Sequence, residues 1–82
     1  MNKEMYVHVM KRFKLSEYQT HSILIFKSHR IKNINVRDLM IEGEFPLWNI
    51  RLADYYVFSN LPSKERAEEI VCYIKDVEVL FL

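Results

Sequence analysis

The sequence predicts a mostly all-α fold, a small bundle of about five helices packed around one central apolar helix. Three observations predict it. The 82 residues include one Gly and two Pro, so turn formers are too scarce for a sheet of many short strands. Half of the residues are hydrophobic, which excludes a chain disordered by composition. Residues 45–60 hold the only Trp, two adjacent Tyr and two Phe. On a helical wheel the apolar side chains of that stretch cover nearly the whole circumference, as expected for a helix sheathed on several sides. The length sets a single domain, 1–82, that buries only roughly 60–65% of its unfolded surface.

Taken in order, residues 3–14 place Met5, Tyr6, Val9, Met10 and Phe13 on one side of a helix, opposite Glu4, His8, Lys11, Arg12 and Lys14. Ser16 and Gln19 have the spacing of a capping box and are expected to open a second helix running to about Arg30. Its basic end, with Lys27, His29 and Arg30, suits the negative end of a helix dipole. Asn35 is a candidate cap for a short third helix over residues 36–41, stopped by Gly43 in a left-handed conformation. The central helix follows. Pro46 stands in its first turn, where the missing amide has no partner, and Pro62 ends it. Ser63 caps the last helix, whose stripe is Ala67, Ile70, Val71, Ile74, Val77 and Phe81. Glu65, Glu68, Cys72, Lys75 and Asp76 lie opposite. An alternative architecture is α+β, because residues 77–82 are rich in strand formers and could pair with residues 5–10.

Candidate chemistry is sparse. His8, His21 and His29 lack the spacing that sets two imidazoles on one metal ion, and Cys72 is alone. The acids near Cys72 disfavour a thiolate nucleophile. Glu42 and Glu44, like Glu68 and Glu69, read as solvated charges, since adjacent residues of a helix do not face each other. A single glycine cannot build a phosphate-cradling loop. No enzyme, cofactor, metal or small-molecule substrate is expected. The lone cysteine points to a reducing cytoplasm, and no apolar run approaches the roughly 18 residues that span a bilayer.

The net charge of +1 is unevenly spread. Residues 1–40 carry eight Lys/Arg against three acids, net +5, and residues 41–82 carry four against eight, net −4. Lys11, Arg12, Lys14, Lys27, Arg30, Lys32 and Arg37 are the candidate nucleic-acid residues. Residues 15–39 resemble the opening of a MarR-like helix-turn-helix regulator. Leu15 and Ser16 would open a helix with Ile23, Leu24 and Phe26 in its core, and residues 36–39 would begin a short second one. The resemblance implies that the Pro46 helix reads the major groove with Asn49 and Arg51 exposed. It covers about a third of the chain, and Glu42, Glu44 and the acidic last helix depart from it.

The leading expectation is a small non-enzymatic regulator or adaptor of inhibitor or bridging type. It docks on another protein and self-associates, with Trp48, Arg51, Tyr55 and Tyr56 as interface candidates. One narrow helix has too few neighbours to cover five large rings. The alternative is a helix-turn-helix-like DNA-binding transcriptional regulator working through the basic first half and Asn49.

Overall fold

A computed structural model describes residues 3–20, 36–52 and 55–81. Among the described residues, two helices pack with a three-stranded antiparallel sheet, so the class is α+β and the five-helix bundle is corrected. Helix α1 is Lys3–Arg12. Strands β1 (Leu39–Glu44), β2 (Leu47–Leu52) and β3 (Tyr55–Leu61) form a meander in sequence order, and helix α2 is Lys64–Val77.

The main correction falls on residues 45–60. This stretch is not a helix; it supplies β2 and β3. In β2, Trp48, Ile50 and Leu52 turn toward the core while Leu47, Asn49 and Arg51 turn away, a period of two. A helical wheel scatters such alternation over its whole circumference, so a two-faced strand mimics a helix that is apolar all round. The residue types, aromatic and β-branched, agree with the pleated form. Pro46 opens no helix. With Phe45 it makes the turn between Glu44 and Leu47, which face each other in the β1–β2 ladder, and the Phe45–Pro46 peptide is cis.

The expected third helix is also corrected. Val36–Asp38 is one 3₁₀ turn, and Leu39 begins a strand. Gly43 does take a positive φ, +128°, but inside the hairpin. The helix expected after Ser16 is a single turn, Glu17–Gln19, after which Thr20 is extended and bridges Phe58. The Gln19 half of the capping box is made, with the Ser16 amide donating to Gln19 Oε1 at 3.1 Å. The rest of that expected helix, with the Asn35 cap, lies outside the described residues. The N-to-C strand pair of the alternative architecture is likewise absent among the described residues, since 5–10 belong to α1 and Glu78–Phe81 coils into a 3₁₀ turn.

Both terminal helices form where the stripes predict. Met5, Tyr6 and Val9 of α1 and Ala67, Ile70, Val71 and Ile74 of α2 are buried. The Ser63 hydroxyl accepts from the Arg66 amide at 3.1 Å, satisfying one of the orphan donors of a helix start. Helix α1 ends with Lys14 at φ +53°. The Leu15 amide bonds to Met10 O at 2.9 Å and the Lys14 amide to Lys11 O at 3.2 Å, the paired closure of a Schellman end.

The helices cover one face of the sheet. Their stripes join Leu39, Ile50, Leu52, Val57, Phe58 and Leu61 in one core, where the Tyr6 ring stacks on Phe58 with centroids 5.2 Å apart. β3 shifts register twice against β2, which sets both Val57 and Phe58 into the core near Ile50. Asn60, at φ +58°, lies at the other shift and is held from two sides. Its amide donates to Asn49 Oδ1 at 3.2 Å and its Nδ2 donates to Tyr18 O at 2.9 Å.

Candidate docking surface

Alternation along the strands leaves a second face to the sheet. Met40 and Glu42 of β1, Leu47, Asn49 and Arg51 of β2 and Tyr56 of β3 occupy it. Arg51 stands between Met40 and Tyr56 in adjacent strands. Its Nε donates to Glu42 Oε1 at 2.8 Å and its Nη2 reaches Met40 Sδ at 3.3 Å. The Tyr56 hydroxyl lies 3.5 Å from Glu42 Oε2, a long and weak contact.

Apolar groups surround this polar centre. Met40 is 52% exposed, Leu47 43%, Tyr56 42%, and Phe45 at the hairpin tip 87%. The Arg51–Glu42 pair is partly solvated, so it adds at most about 1 kcal/mol to the fold. What it does is cancel charge in the middle of the patch. The result is a half-apolar surface with a neutralised centre and one acid, Glu44, at its edge opposite Leu47.

The four interface candidates are divided by the sheet. Arg51 and Tyr56 share the outer face. Trp48 and Tyr55 are half-buried against the core beneath it. Helical reasoning missed Met40, Glu42 and Leu47, which a period of two through β1 and β2 would have placed beside Arg51.

The basic candidates are not brought together. Lys11, Arg12 and Lys14 are exposed at the C-terminal end of α1, where cations complement the helix dipole. The Arg12 guanidinium lies 5.6 Å from the Phe13 ring centroid and 5.5 Å from that of Tyr73. Arg66 comes within 4.8 Å of the same Phe13 ring and donates to Phe13 O at 2.9 Å. These are stacking and helix-end contacts of cations on aromatic rings. Arg37 is exposed on the 3₁₀ turn before β1, and Asn49 is engaged with Asn60. Lys27, Arg30 and Lys32 lie outside the described residues. The groove-reading helix implied by the helix-turn-helix resemblance is β2.

His8 Nε2 meets the Tyr73 hydroxyl at 2.6 Å, linking α1 to α2, and the Phe81 ring lies 5.2 Å from the imidazole. Cys72 is exposed. Among the described residues no group of three His, Cys, Asp or Glu is placed to hold a metal ion, and no helix is long and apolar enough to cross a membrane. Comparison with protein families, with characterised proteins and with solved structures gives no match to this chain.

Proposed function

We propose that this protein is a small non-enzymatic regulator or adaptor that docks on another protein through the outer face of its sheet. The observation that carries the reading is the exposed set Met40, Leu47 and Tyr56 around an internally neutralised Arg51–Glu42 pair, with Phe45 projecting at the edge. Apolar patches rimmed by polar groups recur at protein interaction sites, and Tyr and Arg are frequent interface anchors. A strand-borne patch also needs little reordering on binding, which preserves affinity. Self-association is the simplest form of such docking, and the reducing cytoplasm suits the lone exposed Cys72.

The test is a double variant, Leu47→Lys with Tyr56→Ser, compared with the wild type by cross-linking in cells and by sedimentation. The expected result is loss of the cross-linked species with an unchanged thermal midpoint. A folded double variant that keeps every cross-linked species and its association state would overturn the reading. Duplex DNA in a salt series serves as the contrasting ligand. Binding that weakens steeply with salt would favour the DNA alternative, because phosphate neutralisation releases counterions.

A further inference from the structure

Where the end of α1 meets the start of α2, cations gather around aromatic rings. The Arg12 guanidinium carbon lies 5.6 Å from the Phe13 centroid and 5.5 Å from that of Tyr73, and those two rings meet edge to face at 5.3 Å. The Tyr73 hydroxyl is in turn bonded to His8 Nε2. Arg66 reaches the same Phe13 ring from α2, but its donors are engaged: Nη2 donates to Phe13 O at 2.9 Å, and Nη1 lies 3.5 Å from Glu69 Oε2. Arg12 differs. Its guanidinium has no acceptor among the described residues, and no carboxylate among them pairs with Lys11, Arg12 or Lys14, all three of which are exposed.

Cations in the last turn of a helix complement its dipole, which accounts for the sign of these charges. The dipole does not call for a guanidinium steadied by two rings with its donors left over. Such a side chain has already given up rotamer freedom, and its planar fork of donors matches a carboxylate. We infer that the C-terminal end of α1 binds a short acidic peptide, with Arg12 taking a carboxylate and Lys11 and Lys14 flanking it. The ligand class follows from the size and surroundings of the site. Three unpaired cations fall short of the roughly six to ten phosphate contacts of a nucleic-acid binder. The exposed acids Glu65, Glu68 and Glu69 in the first turns of α2 would also repel a long polyanion running past the junction. A peptide with two or three carboxylates ends before them. This surface belongs to the helical layer, apart from the outer face of the sheet, so it stands independently of the docking reading.

The test is an NMR titration of the isotope-labelled protein at low salt with a triglutamate peptide blocked at both ends. The expected result is a saturable shift of the Arg12 side-chain Nε–H signal and of the backbone amides of residues 11–15. Arg12→Gln should weaken binding by about 3- to 10-fold. Arg12→Lys, which keeps the charge and loses the fork, should fall between it and the wild type. Lys3→Gln makes the same change in net charge at the other end of α1 and should leave binding unchanged, and the amide spectrum of each variant reports its folding. No saturable shift, shifts centred elsewhere, or equal weakening by Arg12→Gln and Lys3→Gln would overturn the inference. A short duplex DNA that moves the same signals at lower concentration than the peptide would overturn the choice of ligand.

Discussion

Gly43 and Lys14 show how a single backbone angle ties residue identity to the fold. At Gly43, φ is +128°, and a β-carbon would sit 2.6 Å from Leu47 O, which is backbone and cannot swing away. Gly43→Ala should therefore cost about 2 kcal/mol or more, read as a lowered denaturation midpoint. Lys14 presents the reverse case, a side-chain-bearing residue at the left-handed position that closes α1. Lys14→Gly in the same assay should stabilise the protein by about 1 kcal/mol. Equal signs for the two changes would contradict the backbone argument. The need for a positive φ at Gly43 was legible from its being the sole glycine. Which structure it served was not, because helix ends and hairpins both use that conformation.

The elements differ in how much of their formation is local. Helix α2 carries its own signals: Ser63 at the cap, Glu65 in the first turn, and a stripe spaced at three and four residues. Ser63→Ala removes the acceptor for the Arg66 amide and should cost about 1 kcal/mol, measured by urea unfolding with an unchanged slope. An unaffected midpoint would show that water replaces the hydroxyl. The strands have weaker local signals. β2 alternates cleanly, yet β3 interrupts its period with two register shifts, which put Val57 and Phe58 together in the core. Any periodicity read across both strands and their connection is blurred. Of the four interface candidates, Arg51 and Tyr56 share a face only because the hairpin register aligns them.

At the scale of the molecule, two layers meet through a few large side chains. Tyr6 is 2% exposed and stacks on the fully buried Phe58, which joins α1 to the edge strand that Thr20 covers. Tyr6→Ala should cost about 3–5 kcal/mol, a large part of the stability of a domain this small. Circular dichroism with thermal melting should show a strongly lowered midpoint. A loss under about 1 kcal/mol would mean that α1 is not integral to the core. The outer face should tolerate the changes proposed above, because its residues face away from this contact. The five rings of residues 45–60 bear on the expectation that they need an outside sheath. Phe58 is buried by the chain itself, Trp48 and Tyr55 partly so, while Tyr56 is 42% exposed and Phe45 87%.

By itself the sequence determined that α1 and α2 form, where α2 starts, and which of their faces are apolar. Those features depend on neighbours within a turn or two of the chain. Only the tertiary structure decided the state of residues 39–52 and 55–61. A strand is stabilised by partners elsewhere in the chain, and the same apolar letters satisfy a buried helix until a register is chosen. The pairing of β1 with β2 and β2 with β3 made that choice, and with it came the face on which Met40, Arg51 and Tyr56 meet.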